Sequence, residues 1–137
     1  MLRHRTTIAI GSAALVALAF TAGFAVGQAN PPTQTRGFTA VDLRSLDLTD
    51  EIDSVAKRSL RIRKITLEPG GMVAPHNHKD RPTVGYILQG SVTYHPEGKP
   101  EVVVSAGEPY TEGRATNHWA ENRGTVPAVW LAVDISK

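Results

Sequence analysis

Short apolar runs separated by turn residues fill the chain from residue 59 to residue 137, and this alternation limits the possible folds more than any other feature. The runs are rich in Val, Ile, Thr and aromatic residues, which favour extended strands, and glycine or proline follows most of them. They read "LRIRKITLEPGG", "TVGYILQG", "SVTYH", "EVVVSAG" and "PAVWLAVDI". Short strands at close spacing are typical of a β-sandwich or barrel, so we expect an all-β fold of about five or six strands.

The residues of two of these runs predict further details. The first strand should end at Pro69, Gly70 and Gly71, because proline and glycine terminate strands and begin turns. The last run, "PAVWLAVDI", is apolar at nearly every position, so we expect it to be covered on both faces. A closed barrel or a pair of packed sheets would also leave few strand edges exposed.

Residues 1–29 differ in composition from the rest of the chain. Arg3 and Arg5 precede a stretch from Thr6 to Val26 that has no charged side chain. A basic start, an apolar region and small residues near position 29 are typical of a signal peptide, which predicts a periplasmic or secreted protein. The apolar stretch has 21 residues, close to the roughly 20 that span a bilayer, so an uncleaved membrane anchor helix remains the alternative.

Residues 30–58 lead into the strand-rich part of the chain. The segment "NPPTQTRGFTA", residues 30–40, mixes proline, glycine and polar residues and is typical of a linker. The next stretch has acidic residues ahead of Lys57 and Arg58, as a short helix would, but its apolar residues are sparse. We therefore interpret 30–58 as a linker and N-terminal arm, and 59–137 as one folded domain.

The charge balance and the absence of cysteine exclude several classes of function. The net charge of +2 comes from Arg3 and Arg5, because residues 30–137 hold 13 basic against 13 acidic side chains. A neutral domain lacks the basic surface that nucleic-acid binding requires, so we expect no nucleic-acid partner. We expect contact with a membrane only if residues 1–29 are not cleaved. Without cysteine, disulfides, thiolate metal ligands and a cysteine nucleophile are all excluded.

Three of the five histidines are candidates for one site. His76 and His78 lie two apart, so in an extended strand both imidazoles point to the same face. His118 follows forty residues later in "TNHWAEN", just before a predicted strand. Strands from different parts of a small barrel can converge on one interior point, and imidazole is the commonest ligand for transition metals. A mononuclear metal site is therefore one interpretation, and unrelated surface histidines are the other.

The spacing of these histidines resembles that of the cupin family over about residues 59–137. The first cupin motif is Gly, five residues, His-x-His, four residues, Glu, six residues and Gly, and the matching positions here are Gly70, His76, His78, Thr83 and Gly90. The second is Gly, five residues, Pro-x-Gly, two residues, His, three residues and Asn, and the matching positions are Gly107, Gly113, Ala115, His118 and Asn122. The chain departs from the motifs at Thr83, Gly113 and Ala115.

The resemblance implies a cupin double-stranded β-helix, or jelly-roll barrel, in which His76, His78 and His118 bind a divalent metal ion. Iron is the first expectation, with manganese, nickel and zinc as alternatives. Thr83 stands in place of the family glutamate, and Glu112 is a candidate to supply a carboxylate instead. The resemblance also implies a small-molecule ligand.

Three functions are compatible with the resemblance. The first is an iron-dependent dioxygenase, the second is a binding or sensing module without catalysis, and the third is a structural envelope protein with a vestigial site. No general base or nucleophile stands out, so the sequence leaves the choice open. Cupins of this kind commonly dimerise through an edge strand or an exchanged arm, and we expect a homodimer in which residues 41–59 take part.

The remaining candidate residues have ordinary structural interpretations. His95 follows a strand at a turn, and we expect it to be exposed. Arg81 lies in the turn "KDRP" and is expected to be solvated, with an anionic ligand at the barrel mouth as the alternative. Aromatic side chains most often fill a core or line a dimer face, and we expect one of these roles for Tyr86, Tyr94, Trp119 and Trp130.

Overall fold

The computed structural model describes residues 30–137, and this part of the chain is all-β, as predicted. Its strands are β1 (Arg36–Asp47), β2 (Ser59–Asn77), β3 (Thr83–Gln89), β4 (Ser91–Pro96), β5 (Val102–Ser105), β6 (Pro109–Glu112), β7 (Asn117–Glu121) and β8 (Ala128–Ser136). The signal peptide or anchor predicted for residues 1–29 lies outside the described residues. Within residues 30–137 we find no helix long and apolar enough to cross a membrane.

The strands form one antiparallel sheet that curls into a nearly closed barrel. Seven strands follow the order β5-β4-β7-β2-β8-β3-β6, and β1 pairs with β2 outside this path. The turn between β5 and β6 approaches the end of β3, where the Gly107 amide donates to the Ile87 carbonyl at 2.9 Å and the Ala106 amide donates to the Gly90 carbonyl at 2.9 Å. The fold is the jelly-roll barrel that the cupin resemblance implies.

Strand β2 does not end at Gly70, so the prediction of a strand terminus there was wrong. Up to Leu67 it pairs with β8, and from Met72 it pairs with β7. The change of partner occurs at Gly70, whose φ of 71° lies in the left-handed region that glycine tolerates. The Gly70 amide donates to the Asn122 carbonyl at 2.9 Å, so main-chain bonds continue through the bend. One long strand thereby joins two parts of the barrel.

Asn122 ties this bend to the loop after β7. Its side-chain nitrogen donates to the carbonyls of Leu67 at 2.8 Å and Val126 at 2.9 Å, and its oxygen accepts from the Gly124 amide at 2.8 Å. The residue is fully buried, so each of these polar atoms needs a protein partner. Asn122 therefore has the structural role that the resemblance implied.

The core lies inside the barrel, on the face to which alternate residues of the long strands point. In β8, the side chains of Ala128, Trp130 and Ala132 are buried, whereas Val133 on the other face is 36% exposed. The expectation that this strand is covered on both faces therefore holds only in part, because Val129 and Leu131 on the outer face are half-buried and Val133 is exposed. The buried cluster comprises Ile65, Leu67, Ile87, Val92, Tyr94, Val104, Ala120, Ala128, Trp130 and Ala132.

The segment interpreted as linker and arm contains a strand that sequence patterning did not indicate. Residues Arg36–Asp47 form β1, which pairs with β2 over Ser59 to Met72. Main-chain pairing to the long β2 strand explains why a segment without a clear apolar alternation becomes extended. Val41 and Leu43 on β1 are about half exposed, at 52% and 50%. The strand therefore presents apolar side chains on the outside of the barrel.

Candidate metal centre

Strand register brings the three histidines together. His76 on β2 is directly opposite His118 on β7, so both side chains point to the same face of the sheet. His78 follows β2 immediately, and its amide donates to the Thr116 carbonyl at 3.0 Å, which holds it beside β7. His78 and His118 are buried, at 3% and 5% exposure. The predicted grouping of these residues is present, on the inner face of the barrel.

The Nε2 atoms of the three histidines face one another. The Nε2 of His78 lies 3.2 Å from that of His76 and 3.3 Å from that of His118. Ligand nitrogens about 2.1 Å from a shared metal ion are separated by roughly 3.0 to 3.4 Å, depending on whether the geometry is octahedral or tetrahedral. The spacing of the imidazoles therefore fits a mononuclear metal site, and one nitrogen from each of the three lies within 4.8 Å of the others.

Hydrogen bonds to the Nδ1 atoms orient two of the rings for this role. The Nδ1 of His76 lies 3.0 Å from the Ala74 carbonyl, and the Nδ1 of His78 lies 3.3 Å from the Arg81 carbonyl. A carbonyl can only accept, so each Nδ1 carries the proton and donates it. The lone pairs of both Nε2 atoms are then directed at the shared centre. This Nδ1-protonated tautomer is the one in which Nε2 can bind a metal.

Thr83, at the position of the cupin glutamate, lies behind a histidine rather than at the centre. Its hydroxyl is 3.1 Å from the Nδ1 of His78 and donates to the Arg81 carbonyl at 3.2 Å. Thr83 and these contacts hold the outer edge of the His78 ring. The residue therefore supports a candidate ligand and is not itself placed as one.

A carboxylate reaches the centre from the adjacent strand. Glu112 on β6 is the cross-strand partner of Thr83 on β3, so both side chains point inward. The carboxylate oxygens lie 3.2 Å from the Nε2 of His78 and 3.2 Å from the Nε2 of His118. Glu112 is buried, at 8% exposure. Glu112 was a candidate replacement from its place in the sequence, and the strand pairing gives the reason that it can take this position.

Burial changes the protonation of all four groups. It is the main cause that lowers the pKa of His78 to about 4 and of His118 to about 3, and it also lowers the pKa of His76. Burial raises the pKa of Glu112 to about 7, against the opposing effect of Arg81 and Arg63. The imidazoles are therefore neutral at pH 7, which is the form that binds metal.

A cavity of about 240 Å³ adjoins the histidines. Besides the histidines and Glu112, its polar lining includes Arg63, Arg81, Tyr94 and Tyr110. The ring of Tyr94 stacks on His118 with centroids 5.3 Å apart and an angle of 15° between the planes. Sequence reasoning missed Arg63 and Tyr110. Arg63 shares the inward face of β2 with Ile65 and Leu67, and a charge at a core-facing position was the signal available.

His95 is not exposed, so that expectation was wrong. It is opposite Trp119 in the pairing of β4 and β7, and the two rings stack with centroids 3.6 Å apart and an angle of 2°. The Nε2 of His95 lies 2.9 Å from the Glu121 carboxylate. His95 is held on the opposite face of the strands from His118, because adjacent residues of a strand alternate between faces.

The aromatic residues divide between core and surface. Tyr94 and Trp130 belong to the buried core cluster, and Trp119 is buried beneath His95. Tyr86 is 47% exposed on the outside of the barrel. The expectation that these side chains fill the core therefore holds for Tyr94 and Trp130.

Comparisons with known proteins agree with this geometry. The family described as Cupin domain matches residues 63–134, which include all three histidines and Glu112. A structure described as a predicted oxalate decarboxylase from Thermotoga maritima is 25% identical, with a TM-score of 0.56 over 79% of this chain and 91% of that one. The search of curated proteins gave no significant match.

Two further structures show the same fold at lower identity. The polyketide cyclase RemF from Streptomyces resistomycificus is 20% identical, with a TM-score of 0.58 over 75% of this chain and 68% of that one. KdgF from a Halomonas species is 17% identical, with a TM-score of 0.56 over 77% of this chain and 87% of that one. At these identities, the likenesses show the fold alone.

Proposed function

This chain belongs to the cupin domain family, and we propose that it binds one divalent metal ion through His76, His78 and His118. The observation that carries the proposal is the convergence of three buried or half-buried imidazoles, with Nε2 atoms 3.2 and 3.3 Å apart. The Nδ1 atoms of His76 and His78 donate to carbonyls, so the lone pairs of their Nε2 atoms face each other, and a cation between them removes that repulsion. The fold and the donor set both support a resident metal.

We propose Glu112 as a fourth ligand, because its two oxygens lie as close to the imidazole nitrogens as those nitrogens lie to one another. Imidazole suits iron, nickel and zinc, and carboxylate suits manganese, so the mixed set favours iron first and leaves the other three as alternatives. A metal bound here would supply open coordination positions at which a small molecule and oxygen can be activated. The chain would then act as a small-molecule dioxygenase.

Binding without catalysis is the second candidate, and one feature of the cavity favours it. Within residues 30–137, Glu112 is the only carboxylate that lines the cavity. If Glu112 is bound to a metal, none of the lining residues remains as an ordinary general base. A sensing or carrier protein needs no such base, whereas a dioxygenase must rely on the metal for activation.

Metal analysis followed by oxygen uptake tests this proposal. Protein prepared without a histidine tag should contain about one divalent metal per chain, or take up one on titration. Protein reloaded with ferrous iron should consume oxygen with at least one member of a broad panel of small molecules. Absence of stoichiometric metal would refute the site, and bound metal without oxygen consumption would favour the binding protein.

Two further parts of the proposal concern location and assembly. We propose that the protein works in the periplasm or outside the cell, or at a membrane if residues 1–29 are retained, because that segment has the pattern of an export signal. The mass of the native protein from a fractionated cell tests this.

We also propose a homodimer through β1, whose Val41 and Leu43 are about half exposed, at 52% and 50%. Light scattering at high micromolar concentration tests that part, and a monomer would contradict it.

A further inference from the structure

The cavity beside the histidines contains more hydrogen-bond donors and more positive charge than a metal centre alone requires. Arg63, Arg81, Tyr94 and Tyr110 all line it, and Glu112 is the only carboxylate on its walls in the part of the chain described. If Glu112 is a metal ligand, each remaining polar group can donate a hydrogen bond, and the two arginines can only donate. A ligand that complements them must be rich in acceptors.

Arg81 is the group most available to such a ligand. Its main chain is fixed, because its amide donates to the His78 carbonyl at 3.1 Å and its carbonyl accepts from Thr83. The neighbouring Asp80 lies near Arg114 at 3.7 Å and Lys137 at 3.9 Å, and within residues 30–137 no carboxylate lies in ion-pair range of Arg81. The half-buried guanidinium therefore lines the cavity without an acidic partner.

Arg63 contributes charge from deeper in the barrel. Its Nη2 donates to Asp134 at 2.6 Å, but the same buried carboxylate also accepts from the Nε of Arg61 at 3.1 Å. One buried acid therefore faces two guanidinium groups. The Nε of Arg63 is buried without a hydrogen-bond partner, and so is the hydroxyl of Tyr94. Unpartnered buried groups of this kind are rare, and a bound ligand is one way to satisfy them.

The volume of the cavity limits the size of the ligand. About 240 Å³ corresponds to roughly eight water molecules at about 30 Å³ each. The cavity therefore suits a compact polar molecule.

We propose that the cavity selects small organic acids with two acidic groups, one turned to the metal centre and the other paired with Arg81. The inference rests on the proposed metal function and adds the class of ligand to it. A guanidinium presents a fork of donors that matches the two oxygens of a carboxylate, and this pairing is strongest where water is excluded. Arg81 is thereby a specificity-determining residue. The positive charge of Arg63, deeper in the barrel, also attracts the anionic ligand.

A series of three small-molecule ligands tests the proposal by calorimetry on metal-loaded protein. Malonate carries two carboxylates, malonamate carries one, and malonamide carries none, while their sizes are nearly equal. Malonate should bind at least about 10-fold more tightly than malonamate, and malonamide most weakly, since a charged hydrogen bond contributes more than a neutral one. Equal affinity for malonate and malonamide in the wild-type protein would overturn the proposal without any variant.

Variants then assign the effect to one residue. Arg81→Gln should weaken malonate binding by roughly 10- to 100-fold and should leave malonamide unchanged. Arg81→Lys, which keeps the charge and loses the fork, should lie between the two. Arg114→Gln removes a nearby arginine whose side chain is 78% exposed and should have no effect. Malonate affinity that is the same in Arg81→Gln and wild type would overturn the proposal.

Separate measurements distinguish this inference from the metal proposal. Metal content is assayed before and after each titration, and calorimetry with the three ligands is repeated on metal-free protein. Stoichiometric metal without any preference for malonate would refute the ligand class alone. Absence of metal binding, with a preference for malonate in metal-free protein that Arg81→Gln abolishes, would refute the metal ligands and retain the role of Arg81.

Discussion

Two histidine clusters on opposite faces of the same strands differ in the charges that surround them. On the inner face, His118 on β7 meets His76, His78 and Glu112. On the outer face, His95 on β4 meets Glu121 and stacks on Trp119. Both clusters contain imidazole and carboxylate within hydrogen-bond distance. Their surroundings differ, and so do the roles that follow.

The outer cluster is already balanced by its own charges. Arg123 donates to Glu121 at 2.6 Å and to Glu101 at 2.8 Å, so the acids around His95 have a cationic partner. Within residues 30–137, the inner cluster has no cation bonded to Glu112 or to the imidazoles, and the Nε2 lone pairs of His76 and His78 face each other. The donor set of the inner cluster could hold a metal ion, whereas the acids of the outer cluster are already paired with Arg123.

The largest expected difference between the clusters is in metal affinity. His76→Ala, His78→Ala or His118→Ala should each weaken binding of one divalent ion by about 100-fold or more, because each removes a third of the nitrogen ligands. His95→Ala should leave affinity unchanged. Isothermal titration with manganese or zinc measures this. An equal loss in His95→Ala and His76→Ala would remove the distinction between the two faces.

The two carboxylates should differ next, in the pH dependence of metal binding. Burial raises the pKa of Glu112 to about 7, so below that pH a metal must displace a proton from it, and affinity falls as the pH decreases through 7. Glu112→Gln should lower affinity at pH 8 by roughly 10-fold and remove this pH step. Glu121→Gln is the matched control and should retain the step.

The histidines should contribute a separate step at lower pH. Ordinary imidazoles, with a pKa near 6.5, would release metal at about pH 6 to 7, but burial lowers the pKa of His78 to about 4 and of His118 to about 3. Protons therefore compete for the ring nitrogens of His78 and His118 only as the pH falls toward these values. In Glu112→Gln, affinity should show no step at the ordinary imidazole pKa of about 6.5, because burial lowers the pKa of His76 as well. A step near 6.5 that survives in this variant would contradict the assignment.

A smaller effect is expected at Thr83, which supports the inner cluster from behind. Thr83→Val removes the hydroxyl 3.1 Å from the Nδ1 of His78 but leaves the Arg81 carbonyl as an acceptor. Loss of a hydrogen-bond partner behind a metal ligand typically weakens metal binding by about 10- to 100-fold. Because His78 keeps the Arg81 carbonyl as a partner, metal affinity should fall by roughly 10-fold or less. Thr93→Val, at another buried threonine, is the control. A loss as large as that of His78→Ala would instead make Thr83 a ligand.

The smallest expected effect belongs to the outer cluster and concerns stability. His95→Ala removes the stack on Trp119, and we expect the free energy of unfolding to decrease by about 1 kcal/mol. Urea denaturation of metal-free protein measures this change. The metal-dependent increase in stability should be the same in His95→Ala as in wild type, and its loss would show that the two clusters are coupled.

Sequence reasoning reached the inner cluster through spacing, and it missed what depends on pairing between strands. His76, His78 and His118 stand at motif positions, so their grouping was predictable. The strand β1 was missed because pairing with β2, not its own residue pattern, makes it extended. The burial of His95 was missed because it depends on Trp119, a residue on another strand.

Glu112 illustrates the same limit within the site. The sequence offered it as a candidate because it lies near the third histidine, but nothing in its spacing showed that it faces Thr83 across two strands. Arg63 and Tyr110 likewise reach the cavity only through the curvature of the barrel. Side chains that meet through register and curvature are therefore the part that sequence patterns leave undetermined.

Anomalous diffraction from crystals of the protein soaked in manganese tests the central claim most directly. Data collected near the manganese absorption edge should show one strong peak per chain between the Nε2 atoms of His76, His78 and His118, with a Glu112 oxygen among its ligands. No peak at this position, or a stronger peak beside His95 and Glu121, would contradict the account.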